Sequence, residues 1–141
     1  MDVEVNYLAV FLAAASSMVV GSIWYAPSVF GNTWMKLAKV DPKKQSSPKA
    51  MTILMGGTFL VSLVTAYVLA HVIFLADQFF INSFLNDALN TAFWVWLGFV
   101  ATRIVTHNTF DQRPGKLTWL ALGNEFVTIM VMGLVIGLMG V

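Results

Sequence analysis

Apolar residues in this chain are gathered into four long runs, near 6–25, 51–75, 87–107 and 117–140, with polar segments between them. Each run approaches or exceeds the roughly 20 helical residues needed to cross a hydrocarbon core of about 30 Å. No water is available inside that core, so a segment within it must satisfy its own backbone hydrogen bonds, which favours a helix. The pattern predicts an all-α polytopic membrane protein: a single domain, 1–141, built as a bundle of four transmembrane helices in the lipid bilayer.

The composition agrees with a membrane protein and excludes several other classes. Of the 141 residues, 58% are hydrophobic and 11% are charged, whereas a soluble domain carries about 25% charged residues. The chain has no cysteine. A zinc site needs three or four ligands, whereas the chain has only two histidines, His71 and His107, and the predicted spans place them near opposite sides of the membrane. No nucleic-acid recognition module is present. We therefore expect no catalytic residue, no cofactor, no metal and no nucleic-acid partner, and we expect that the protein is not an enzyme.

Charge is distributed unequally between the linkers. The linker 26–50 carries five lysines, and the turn 108–116 carries Arg113 and Lys116, whereas the N-terminal segment and the linker 76–86 carry no basic residue. Basic residues remain in the loops on the cytoplasmic side of a membrane. The distribution predicts a multi-pass protein of the cell membrane (inner or plasma), with the basic loops in the cytoplasm and both termini outside.

Aromatic and helix-breaking residues follow the first run, at Trp24, Tyr25, Pro27, Phe30, Gly31 and Trp34. Pro27 predicts that the first helix ends or kinks there, and Gly31 is suited to a turn because glycine adopts positive φ easily. Aromatic rings with polar tips are typical of the membrane interface. We interpret these rings as an interface anchor, with ligand binding as the alternative.

The linkers themselves contain candidate structure. The stretch 34–39 is compatible with a short helix at the membrane interface, and 42–49 reads as a flexible polar linker. The linker 76–86 is too apolar for a solvated loop, which indicates a short amphipathic segment in the plane of the interface.

The aromatic segment also carries a resemblance to a known family. The stretch 21–34 (GSIWYAPSVFGNTW), the sequence NYLAV at 6–10, FWVWLGF at 93–99 and the Arg113-Pro114 turn resemble the domain-of-unknown-function 1761 family of small membrane proteins. The resemblance covers nearly the whole chain. It implies an integral membrane protein of four helices, and it transfers no catalytic or binding residue.

Small residues recur every four positions in three of the runs, which lets helix backbones approach closely. They are Ala9, Ala13, Ser17 and Gly21 in the first run, Thr58, Ser62, Ala66 and Ala70 in the second, and Gly133 and Gly137 in the fourth. We expect Gly133 and Gly137 to pack either on the Ala9–Ala13 region or on a second copy of the chain, and we favour ordinary packing within one chain. A homo-oligomer is a weaker expectation.

Two charged residues lie inside the third and fourth runs. Arg103 and Glu125 are each eleven positions from Pro114, so a helical hairpin folded there would place them at similar depth, roughly 6–12 Å inside the membrane boundary. Three arrangements would reduce the cost of burying charge: an Arg103–Glu125 pair, extension of Arg103 to the headgroups, or a proton held on Glu125. Asn124 and His107 are near enough along the chain to complete a polar site.

These residues leave the function open between two classes. In the first, the chain is a structural or ligand-binding bundle that contains a buried Arg/Glu pair, and we favour this class because charges inside membranes usually pair. In the second, Glu125 binds a proton or cation in a transporter of small solutes or ions. Four helices are few for a transport path, so the second class requires a homo-oligomer.

Overall fold

The computed structural model describes residues 4–41, 47–80 and 82–140. Within these ranges every regular element is helical, and four helices are long and apolar enough to cross a membrane. In chain order the helices are α1 (Tyr7–Trp24), α2 (Asn32–Ala38), α3 (Pro48–Phe79), α4 (Phe84–Val95), α5 (Thr102–Phe110) and α6 (Gly115–Met139). Two π-helical segments, Pro27–Gly31 and Trp96–Ala101, precede α2 and join α4 to α5. The chain is all-α, as its apolar runs predict.

The long helices form a ring in which each one contacts two neighbours. Helix α6 lies between α1 and α4, and α3 contacts the other sides of α1 and α4. Because successive spans cross in alternate directions, neighbours in this ring are antiparallel. Helices α3 and α6 occupy opposite corners and contact each other little.

The buried centre of the ring is built mainly from alanine. Alanines at helical spacing face inward from three helices, namely Ala9, Ala13 and Ala14 of α1, Ala66 and Ala70 of α3, and Ala88 and Ala92 of α4. The larger side chains that fill the remaining space include Leu69, Ile73, Met132 and Ile136, all of them fully buried. Lipid is as apolar as these side chains, so close packing rather than removal of water stabilises the assembly.

The two glycines of the GxxxG sequence pack on α4. A Cβ atom added at Gly133 would lie 2.7 Å from the Cβ of Ala92, and one added at Gly137 would lie 2.9 Å from the Cβ of Ala88. The favoured expectation of ordinary packing within one chain agrees with this contact, but the partner is α4 rather than the Ala9–Ala13 region. Both α1 and α4 are antiparallel neighbours of α6, and only the rotation of α6 about its axis decides which of them the glycines meet.

The linkers are shorter than the apolar runs suggest. Helix α3 begins at Pro48, where the Ser47 side chain accepts a hydrogen bond from the Ala50 N–H at 3.2 Å. It continues to Phe79, and α4 begins at Phe84. Of the amphipathic segment expected at 76–86, residues 76–79 continue α3 and residues 84–86 begin α4, because adding a residue to an existing helix adds a backbone hydrogen bond. Ile81 lies outside the described ranges. Helix α2 covers most of the short helix expected at 34–39, and residues 42–46 of the expected flexible linker lie outside the described ranges.

Helix α3 packs on the bundle with only one of its halves. Its buried residues all fall between Ala66 and Ile73, whereas every residue from Pro48 to Thr58 is exposed. The first half of α3 therefore stands away from α1 and α6, and a groove opens between these three helices.

The α4–α6 contact gives a direct test of this packing. We expect Gly133→Ala to lower the free energy of unfolding by about 1–3 kcal/mol, because the added methyl group overpacks the contact with Ala92. The matched control is Gly57→Ala, since a Cβ at Gly57 meets no atom within 4 Å. The control should be neutral or stabilising by up to about 1 kcal/mol through helix propensity. Denaturant unfolding in detergent measures both, and equal effects of the two substitutions would contradict the packing.

Candidate functional site

The segment after α1 forms a tight π-helical turn around Ala26. The carbonyl oxygen of Ala26 accepts hydrogen bonds from the N–H groups of Val29 and Gly31, at 3.0 and 2.9 Å. Gly31 has a φ of −57°, so the expectation that it supplies a positive φ is wrong. A side chain there would instead overlap the carbonyl oxygen of Tyr25, so Gly31 is required for close backbone approach.

Two ring pairs stabilise this turn. Trp24 contacts Phe30 with 4.7 Å between ring centroids, and Tyr25 contacts Trp34 at 5.4 Å. Trp24 also packs on α6 at Gly123, where an added Cβ would lie 2.9 Å from the indole ring. Trp24 thus fixes the end of α1 against α6, a role that its position at the end of an apolar run does not indicate. The membrane-interface role of the other rings remains a prediction.

Below this turn, a groove of about 760 Å³ opens between α1, α3 and α6. Gly21 and Tyr25 lie on its α1 side, Thr58 and Thr65 on its α3 side, and Glu125 on its α6 side. The α3 residues that line it are mostly exposed, so the groove is open along α3. Its volume lies within the range of about 300–1,000 Å³ that is typical of sites for small molecules.

Most of the hydroxyl groups around the groove already donate their protons within their own helices. Ser17 and Ser22 donate to the carbonyl oxygens of Ala14 and Met18, each at 2.7 Å. On α3, the hydroxyls of Thr58 and Thr65 donate to carbonyl oxygens one turn earlier, at 2.9 and 3.1 Å. The oxygen atoms of these hydroxyls keep free lone pairs, so they face the groove as hydrogen-bond acceptors.

The α6 residues add stronger acceptors to the same groove. Glu125 is half-buried, and its carboxylate is close enough to act electrostatically on the phenol of Tyr25. The Oδ1 atom of the adjacent Asn124 is buried and has no hydrogen-bond partner. A buried acceptor without a partner is unfavourable. The groove therefore presents a carboxylate and several unused acceptors within a largely apolar wall.

The structure brings together only two of the four residues of the predicted polar site. Glu125 and Asn124 line the groove, whereas Arg103 and His107 are exposed on α5 and lie outside it. Arg103 is not within ion-pair distance of Glu125, so the expected buried Arg/Glu pair is wrong. The nearby ion pair is instead local to the turn, between Arg113 and Asp111 at 3.4 Å.

The π-helical segment Trp96–Ala101, which ends two residues before Arg103, makes the direction of that side chain differ from that in a regular α-helix. One residue of an α-helix corresponds to about 100° of rotation. A π-helical segment changes the hydrogen-bond register from i→i+4 to i→i+5, and so it rotates every residue that follows. Arg103 comes directly after this segment. The direction of its side chain therefore depends on a helix irregularity that the apolar pattern does not reveal.

Sequence reasoning passed over one buried acid, Asp87, which it used only to mark the start of the third run. Asp87 is 2% exposed, lies in the first turn of α4 and lines a second cavity. The sequence feature that could have revealed it is an acidic residue at the beginning of an apolar span, with no basic residue close to it in the sequence. As for metals, no three His, Asp or Glu side chains in the described ranges are grouped so that they could hold an ion.

Comparison with known proteins identifies the family. A family model described as "Protein of unknown function (DUF1761)" matches residues 8–137. The chain belongs to this family. Neither the curated proteins nor the solved structures gave a match. The groove, the π-helical turn and Asp87 of this DUF1761 protein all lie within the matched residues, so its candidate sites belong to the family domain itself.

A double-mutant cycle tests the separation of the two charges. We expect Arg103→Gln and Glu125→Gln to change the free energy of unfolding additively, with a coupling below the roughly 0.6 kcal/mol average of polar pairs in membranes. The measurement is unfolding of the two single variants and the double variant in the same detergent. A coupling above about 1 kcal/mol would mean that the two side chains are partners.

Proposed function

We propose that the groove between α1, α3 and α6 binds an amphipathic amine, with Glu125 as the group that receives its positive charge. The observation that carries this proposal is that the carboxylate of Glu125 lines the groove while no basic side chain is among the described residues that line it. Its hydroxyl protons at Ser17, Ser22, Thr58 and Thr65 are already used, while Glu125 and the Oδ1 atom of Asn124 have no partner within hydrogen-bond distance. A ligand that brings donors and a positive charge would satisfy these acceptors.

The apolar part of the groove supports an amphipathic ligand rather than a small hydrated ion. Met55, Val61, Ile129 and Met132 contribute apolar surface to the wall, and the volume of about 760 Å³ is far larger than a single cation requires. Methionine side chains adapt to apolar ligands of irregular shape. Because the groove is open along α3, such a ligand can enter from the bilayer.

A thiol protection assay tests the proposal, because the natural chain has no cysteine. Ser22→Cys places one thiol in the wall of the groove, at an exposed position. We expect hexylamine, which is protonated at neutral pH, to slow the labelling of this thiol by a maleimide in a saturable way. Adding Glu125→Gln should weaken the apparent affinity about tenfold or more, equivalent to about 1.4 kcal/mol.

Two controls separate charge recognition from solvent effects. Hexanol has the same apolar chain without the charge, and it should not protect the thiol at equal concentration. Glu4→Gln removes an exposed carboxylate that lies before α1, far along the chain from the groove, and it should leave protection unchanged. Protection by hexanol, or full protection in the Glu125→Gln variant, would overturn the proposal.

A second candidate function is proton-coupled transport of a small solute or ion by a homo-oligomer. Two observations favour it: Glu125 has no cationic partner within ion-pair distance among the residues that the structure describes, and the exposed first half of α3 borders the open side of the groove. A second copy packed there would close the groove. A carboxylate that binds a proton and an amine alternately would couple their movements.

Reconstituted vesicles test this second candidate. An imposed pH gradient should drive hexylamine uptake into vesicles that contain the protein faster than into empty vesicles, and Glu125→Gln should abolish the difference. Empty vesicles are essential here because neutral amines cross lipid unaided. Equal uptake with wild-type protein, Glu125→Gln protein and no protein would leave binding alone as the proposed function.

We also propose the orientation that the basic linkers favour, with both termini outside the cell membrane. The described part of the linker 26–50 carries Lys36, Lys39 and Lys49, on the same side as the turn before α6. A maleimide that cannot cross membranes should label Gln78→Cys in intact cells and should label Ala50→Cys only after lysis. Both positions are exposed at opposite ends of α3. The reverse labelling pattern would invert the topology.

A further inference from the structure

A buried carboxylate with one unused oxygen lies at the opposite end of the bundle from the Glu125 groove. Asp87 is 2% exposed, and its Oδ1 atom accepts a hydrogen bond from the side-chain amide of Asn82 at 3.0 Å. Its Oδ2 atom is buried and has no partner. The first turn of a helix favours a carboxylate, but that preference does not require the side chain to be buried or one oxygen to be left unpaired.

Asp87 lines a cavity of about 410 Å³ between the end of α3 and α4. None of the described residues that line this cavity is a lysine, arginine or histidine, so none of them neutralises the carboxylate. The rings of Phe80, Trp94 and Phe99 form part of the wall. Aromatic faces attract organic cations, so a cavity that contains both a carboxylate and such rings is suited to a ligand with an ammonium group.

An apolar channel along α3 continues from this cavity. A smaller cavity of about 270 Å³ shares Val72 and Val95 with the Asp87 cavity, and it shares Thr65 and Ile129 with the Glu125 groove. Apart from Thr65, the residues that line it are valine, leucine and isoleucine. An apolar chain attached to the ammonium group could therefore extend along α3, away from Asp87.

We infer that the Asp87 cavity is a second binding site, which holds an ammonium group that carries an apolar tail. Asp87 receives the positive charge, the aromatic rings of the wall contact the ligand further along the cavity, and the valine-lined cavity holds the first part of the tail. The ligand is either a free amphipathic amine or the ethanolamine headgroup of a phospholipid, since both present the same ammonium group. This site is independent of the proposed function of the Glu125 groove.

Protection of a single thiol tests this second site by itself. Asn90→Cys places a thiol in the wall of the Asp87 cavity at an exposed position. Hexylamine should slow maleimide labelling of this thiol in detergent, and hexanol should not. Adding Asp87→Asn should weaken protection about tenfold or more, because it removes the charge and retains the acceptor for Asn82. Adding Asp77→Asn, a carboxylate on α3 that does not line the cavity, should change nothing.

The Glu125→Gln substitution tests whether the Asp87 cavity binds its ligand independently of the Glu125 groove. In the Asn90→Cys background it should leave hexylamine protection intact, even if the Glu125 groove binds nothing. A second variant keeps the test decisive if Asp87→Asn fails to fold. Trp94 is 64% exposed, so Trp94→Leu should fold normally. It should weaken protection several-fold because it removes an aromatic ring from the wall of the cavity. Absence of saturable protection in the Asn90→Cys protein, or equal protection by hexanol, would overturn the inference.

Lipid nanodiscs distinguish the two sources of the ammonium group. If the headgroup is the ligand, thiol labelling in the Asn90→Cys protein should be several-fold slower in phosphatidylethanolamine than in phosphatidylglycerol, and Asp87→Asn should remove the difference. If a free amine is the ligand, both lipids should give equal labelling, and added hexylamine should slow it in either. No slowing by either source would exclude the site.

Discussion

The close contact of α6 with α4 is the constraint on which the rest of the bundle depends. Inside a bilayer the apolar side chains gain little from leaving lipid, so helices associate where their backbones approach closely. Gly133 and Gly137 permit that approach at Ala92 and Ala88. This contact fixes the rotation of α6, and the rotation of α6 directs Asn124 and Glu125 toward α1 and α3 rather than toward α5.

The arrangement of the ring then determines where open space remains. Helix α6 contacts α1 and α4 along much of their lengths, whereas α3 is buried only between Ala66 and Ile73. The first half of α3 consequently leaves a groove at Glu125, and its end leaves a cavity at Asp87. Both spaces contain acidic side chains, and among the described residues no basic side chain lines either of them. We regard that shared imbalance as the strongest chemical feature of the molecule.

The two acids contribute differently to what the bundle can bind. Glu125 is half-buried in a wide groove whose acceptors come from three helices, and a flexible ligand of moderate size would fit there. Asp87 is almost completely buried, accepts a hydrogen bond from Asn82 and lines a cavity whose wall is partly aromatic. Such a rigid setting suits one compact charged group. The smaller cavity along α3 shares lining residues with both spaces, so the two sites lie along a common surface of this helix.

The sequence by itself determined the class of the protein. A long apolar run inside a bilayer can satisfy its backbone hydrogen bonds only in a few structures, so composition and run length indicate an all-α chain with four candidate spans. The motif around Trp24 indicates the family. It also identified Glu125 and Asn124, since polar residues within a span are conspicuous. It did not determine the partners of these residues. The Arg103–Glu125 pair was expected from depth alone, but Arg103 is exposed on α5 and is not paired with Glu125. The face met by Gly133 and the burial of Asp87 likewise depended on helix rotation. Linear spacing specifies the depth of a residue along a helix, whereas only tertiary packing decides the direction in which its side chain points.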